Sequence, residues 1–172
     1  MAGVGGILVS RAIRIGLIGS GRSHPKWDDW AEEIGRGIAE AGGILICGGT
    51  SGVMASAARG ARKAGGVTVG ILPGAHAEEA NPFITIPIAT GLGEGRNLLV
   101  VQSSDLLIAV GGGAGTLSEI GFALKLHKPL ILLGSWEIRP PSGNDSLSNL
   151  AHTVDSPAEA IQLALRLARL SR

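Results

Sequence analysis

Tyrosine is absent from this 172-residue chain, phenylalanine occurs twice and tryptophan three times, so aromatics make up 3% of the residues. Its core must therefore be aliphatic. One cysteine, Cys47, excludes an internal disulfide; it lies in the apolar run Ile44–Cys47, where a buried reduced thiol and a cytoplasmic protein are expected. A formal net charge of +1 argues against nucleic acid as a bulk electrostatic partner. No apolar stretch is long enough to span a bilayer, and residues 1–12 lack the pattern of a signal peptide, so no membrane partner is expected.

Several chemical signatures are missing too. No glycine is followed by lysine and then serine or threonine, which removes a P-loop. Nothing resembles a nucleophile elbow, and no histidine is placed to activate one. The dinucleotide fingerprint fails because His24 stands where its third glycine belongs. The acid that would hold a ribose is missing as well, because Ile44–Cys47 runs straight into Gly48 and Gly49. His76, Glu78 and Glu79 share a polar loop over residues 75–82, which reads as solvated, and no metal site is expected.

What the chain does have is glycine, 28 residues of it, beside 45% hydrophobic content. Apolar runs alternate with amphipathic stretches: Ile13–Ile18, Ile44–Cys47, Val67–Leu72, Ile84–Ile88, Leu106–Val110 and Pro129–Gly134 read as strands, with helices between and a last helix from Ser156. Pro87 demotes its run to a sheet edge or a strand end. This alternation implies a three-layer α/β/α domain of Rossmann type, with a mostly parallel sheet of six to seven strands. The length suits one domain, taken as residues 13–172 behind a flexible tail of residues 1–12.

Three strands run into glycine turns, which the topology would place at one carboxyl edge: Gly19-Ser20-Gly21-Arg22, Gly48-Gly49-Thr50-Ser51-Gly52 and Gly111-Gly112-Gly113-Ala114-Gly115. The third opens a helix at Thr116. Nearly bare backbone before a helix start offers free N–H groups and the positive end of the dipole to a phosphate. Thr116 and Glu119 also have the spacing of a capping box, and Ser156 and Glu159 repeat that spacing where no functional signal is seen. Both readings of Thr116 and Glu119 stand at this point.

Arg96 sits in the first turn of a helix, against the dipole, so it is misplaced unless it serves an anion or a carboxylate. Arg22 is placed to reach an anion on the first turn. Trp27 and Trp30 fall on one helical stripe with Ile34 and Ile38, a packing pattern.

Gly111–Glu119 resembles the P-G-G-x-G-T-x-x-E motif of the "lonely guy" phosphoribohydrolases, long mislabelled lysine decarboxylases, with glycine in place of the proline. Gly48, Gly49, Gly52 and Met54 match that family's second glycine motif, and Arg96 matches its arginine. The spellings Gly52-Val53-Met54, Ala64-Gly65-Gly66, Gly70-Ile71-Leu72-Pro73-Gly74 and Thr90-Gly91-Leu92-Gly93 are closer to the molybdenum cofactor carrier branch of the superfamily.

The resemblance implies a binding protein for a phosphorylated, pterin-like or nucleotide-like molecule, the molybdenum cofactor being the named candidate, with no catalytic cofactor required. Its ligand-binding residues would be Gly19, Ser20, Gly21, Arg22, Gly48, Gly49, Thr50, Gly52, Gly112, Gly113, Ala114, Gly115 and Thr116. The alternative it implies is cleavage of nucleoside 5′-monophosphates, with Arg96 and Glu119 catalytic; Asn97 and Gly93 or Glu94 replace the hydrolases' lysine and histidine. It also implies a dimer or tetramer.

Overall fold

The computed structural model describes residues 12–139 and 149–170. The expected tail, Ala12 apart, and residues 140–148 of the long loop after Gly134 lie outside the described residues.

Strands β1 (Arg14–Gly19), β2 (Ile44–Cys47), β3 (Val67–Leu72), β4 (Ile86–Ala89), β5 (Leu106–Val110), β6 (Leu130–Leu133) and β7 (Ala151–Val154) form one sheet in the order β4-β3-β2-β1-β5-β6-β7. Every pairing is parallel. The chain steps outward from β1 to β4, then returns to lay β5 beside β1, so the topology reverses between those two strands. Arg14 locks their far ends, its backbone N–H and guanidinium both donating to the Asp105 carboxylate, at 2.9 Å from the backbone.

Helices cover both faces. On one, α1 (Pro25–Glu40), α2 (Val53–Lys63) and α5 (Pro157–Leu170) pack on Ile15, Leu17, Leu45, Leu106, Ile108 and Val110. On the other, α3 (Arg96–Ser103) and α4 (Ala114–Lys125) pack on Ile18, Ile46, Ile71, Leu107 and Ala109. Successive residues of a strand point to opposite faces, which is why β5 must be apolar throughout, and all five of its residues are buried. On α4, Ile120 and Ala123 carry the packing and Leu117 is exposed.

The sheet is all parallel rather than mostly so, and its seventh strand is β7. That strand is four residues long and half polar, so its alternation carries no signal until β6 pairs with it. Strand β4 lies at the edge, where Pro87 costs the ladder least, and Ile86 and Ile88 are about half exposed. Helix α5 has a true cap: the Ser156 hydroxyl accepts from the Glu159 N–H at 3.3 Å, and the Glu159 carboxylate accepts from the Asp155 N–H at 3.0 Å.

Helices α1 and α2 touch through glycine. A Cβ on Gly60 would collide with the Glu32 carbonyl, and one on Gly35 with the Ala57 carbonyl. Backbone cannot retreat as a side chain can. Gly60→Ala should therefore destabilise the fold by roughly 2–3 kcal/mol, despite a gain of about 1 kcal/mol in helix propensity. Gly121→Ala, on an open face of α4, should stabilise it by roughly 0.5–1 kcal/mol, and urea unfolding of both variants checks the contrast.

Candidate functional site

Above the carboxyl ends of β1 and β5 lies a cleft of about 740 Å3. It sits where the topology reverses, the usual position for a ligand in such sheets. Its floor is the turn after β5. Gly111 and Gly112 have φ of +57° and +114°, the first with the Trp27 indole laid where a Cβ would project, the second with the Thr116 side chain there.

Helix α4 begins at Ala114, two residues earlier than the glycine pattern predicts, with Gly113 as N-cap and no side chain capping it. Thr116 and Glu119 are consequently inside the helix and buried, and the capping-box reading of that pair is overturned. Gly115 disfavours a helix intrinsically, which hid the true start; packing on α3 overrides it. The first-turn amides of α4 are left free for an anion.

Of the predicted ligand residues, Gly19, Ser20, Gly21, Arg22, Gly48, Thr50, Gly112, Gly113, Gly115 and Thr116 line the cleft, as do Arg96 and Glu119. Gly49, Gly52 and Ala114 do not. Gly52, at φ +60°, passes so close to the Ser20 carbonyl that no Cβ fits, and the Val53 N–H at the start of α2 donates to that same carbonyl at 3.0 Å. The second glycine turn thus holds the first turn in place. Gly49 packs against Gly70 of β3.

Arg96 and Glu119 face the cleft from α3 and α4, with 9% and 6% of their surface exposed. The guanidinium lies flat against Gly48, where a Cβ would collide with Nη1. Its Nε is buried without a hydrogen-bond partner, and among the described residues it forms no ion pair. Burial pushes the Glu119 carboxyl up to about 8; the Arg96 charge opposes that shift and Glu94, on the rim, adds to it. At neutral pH the carboxyl is mostly protonated. Cys47, beneath the cleft, is pushed up to about 11 by its burial and stays a neutral thiol.

The expected ligand residues did not include Asn97, Met54, Pro73, Glu94 or Trp27, all of which line the cleft, although the resemblance names Met54 and Pro73 within its motifs and Asn97 and Glu94 as replacements beside Arg96. Asn97 is buried and donates from Nδ2 to the Ser118 hydroxyl at 3.3 Å; that hydroxyl donates to the Gly115 carbonyl at 2.6 Å, tying α3 to the first turn of α4. Its signals in the sequence were its place beside Arg96 and its replacement of the lysine that the resemblance implies. Trp27 packs on the core as its stripe predicts, and its edge also reaches the cleft.

A sequence profile of the SLOG cluster4 family matches residues 12–162. The chain belongs to that family. The SLOG cluster4 chain is similar to the molybdenum cofactor binding protein of the phototrophic bacterium Rippkaea orientalis, with 40% identity, a TM-score of 0.84 and coverage of 92% of this chain and 99% of that one. It is similar to the molybdenum cofactor carrier protein of Chlamydomonas reinhardtii, with 40% identity, a TM-score of 0.82 and the same coverage. A cytokinin riboside 5′-monophosphate phosphoribohydrolase of Mycobacterium tuberculosis is 31% identical over 123 residues, 66% of each chain.

The raised Glu119 gives a signed pH dependence. Below its ordinary value near 4.5 the group is protonated folded or unfolded; between there and about 8 only the unfolded chain releases the proton, so stability falls as pH rises and levels off above. Each unit of displacement is worth about 1.4 kcal/mol. Glu119→Gln should therefore be more stable than the native chain at pH 8, by roughly 2 kcal/mol or more, and nearly equal to it at pH 4.5. Urea unfolding at both pH values measures it.

Proposed function

We propose that the chain is a binding protein for a phosphorylated small molecule, with the molybdenum cofactor as its candidate cargo, in the manner of a carrier. One observation carries this reading: Arg96, a buried cation whose Nε has no hydrogen-bond partner, shares a cleft with the uncapped start of α4. A buried cation without an acceptor is expensive, and a phosphate group relieves that cost while using the free amides. The similarity to proteins described as binding or carrying the molybdenum cofactor supports the choice of cargo.

In this reading the amides of Gly115 and Thr116 hold the phosphate, Arg96 neutralises it, and protonated Glu119 donates to an acceptor on the ligand. The bound cofactor supplies molybdenum chemistry only to the enzyme that later receives it. The chain's task is to bind and to shield. We further infer a cytoplasmic homo-oligomer; the half-exposed Ile86 and Ile88 on the edge strand favour association.

The second reading, cleavage of nucleoside 5′-monophosphates, is favoured by Arg96 and Glu119 meeting in one cleft and by the similarity to the phosphoribohydrolase. Glycosidic cleavage needs an ionised carboxylate to stabilise charge growing on the ribose or to activate water. Glu119, held protonated near neutral pH, is poorly suited to that, and binding takes precedence.

Anaerobic thermal shift with the molybdenum cofactor should stabilise the protein well beyond inorganic phosphate. Arg96→Met should weaken cofactor binding at least about tenfold, the loss of one charge-assisted contact. Stabilisation by phosphate alone, with no preference for the cofactor, rejects the carrier reading, and release of free base from a nucleotide panel establishes the hydrolase in its place.

A further inference from the structure

A second compartment, of about 300 Å3, lies behind the glycine turn between Trp27 and Trp136. It abuts the main cleft, since Trp27 and Gly112 line both. The chain has three tryptophans and no tyrosine, so two of its few large aromatics wall this one small space. Its floor is nearly bare: Gly111 and Gly134 both have positive φ, and a Cβ on Gly134 would crowd Trp30.

Trp136 is held there rather than left to wander. Its Nε1 donates to the Gly113 carbonyl at 3.3 Å, and the preceding Ser135 hydroxyl donates to the Gly111 carbonyl at 2.6 Å. Two bonds thus pin the segment after β6 to the turn, and the indole's polar atom is already satisfied. Even so, 41% of the side chain is exposed. An indole held in place and two-fifths exposed is available to stack on a planar ring.

Charge decides which part of a ligand belongs here. Among the described residues that line it, the one charged group is Glu137, which pairs with Arg139 at 3.0 Å. A carboxylate accepts from a ring bearing N–H donors, whereas the start of α4 offers free amides to phosphate. The two adjoining compartments thus offer different partners, acceptors and an indole in one and backbone N–H donors in the other.

We propose that the compartment between Trp27 and Trp136 seats the planar bicyclic ring of the ligand whose phosphate docks on the start of α4. The proposal rests on the phosphate site described above and adds where the ring lies and what selects it. A bicyclic purine or pterin fits within the space, and stacking on Trp136 is tolerant of which of the two it is.

Calorimetric titration of ribose 5-phosphate, GMP and 6-hydroxymethylpterin phosphate into the native chain, Trp136→Ala and Trp136→Phe tests this. The native chain should bind a ring-bearing phosphate at least tenfold more tightly than ribose 5-phosphate. Trp136→Ala should weaken that ligand about tenfold and change ribose 5-phosphate less than twofold. Trp136→Phe, which lacks the bond to Gly113 but keeps a ring, should retain most of the affinity.

Equal losses for ribose 5-phosphate and the ring-bearing ligands would reduce Trp136 to a prop for the glycine turn and overturn the proposal. So would ring-bearing ligands that gain nothing over ribose 5-phosphate, with the phosphate site left standing. If no phosphate compound binds the native chain, the phosphate site itself has failed and the ring seat falls with it.

Discussion

The adjacency of β1 and β5 is the constraint from which the rest follows. Each strand's connecting chain leaves in the opposite direction from the other's, so nothing crosses above their carboxyl ends, and the gap is a cleft lined by backbone. Glycine makes that gap usable. Gly111 and Gly112 adopt positive φ and leave room for Trp27 and Thr116, while Gly48 lets the Arg96 guanidinium lie against the main chain. Side chains at these positions would collide with Trp27, Thr116 and Arg96 and push them out of place.

Within that cleft two buried ionisable groups decline to pair. Arg96 and Glu119 lie on neighbouring helices, yet no ion pair forms between them, and the carboxyl responds to burial more than to the arginine. In the proposed function, both are left to donate to the ligand. This asymmetry favours binding over glycosidic chemistry, which would need the carboxylate ionised. Asn97 contributes by bracing the start of α4 through Ser118, so the amide donors and the guanidinium keep a fixed relation.

The three glycine turns differ in task, although their spelling is alike. The turn after β5 carries the free helix start; the turn after β1 borders the cleft with Arg22; the turn after β2 mostly supports its neighbour, through Gly52 and the Val53 N–H bonded to Ser20. Ser156 and Glu159 form a cap, while Thr116 and Glu119 with the same spacing do not, because the latter pair lies one turn deeper in its helix and is buried.

The meeting of Arg96 with Glu119 was an implication of the family resemblance, whereas local pattern was enough for the alternation of strands and helices, the edge position of Pro87 and the shared carboxyl edge of the glycine turns. Those features are written in periods of two and 3.6 residues and in backbone rules that act within a few positions. The seventh strand, the early start of α4, the supporting role of Gly49 and Gly52, and the two tryptophans flanking the glycine turn depended on the folded whole. Trp27 and Trp136 are 109 positions apart, and only the placement of β5 between β1 and β6 brings the segments that carry them to one turn. Contacts of that range arise from packing, which a one-dimensional pattern does not encode.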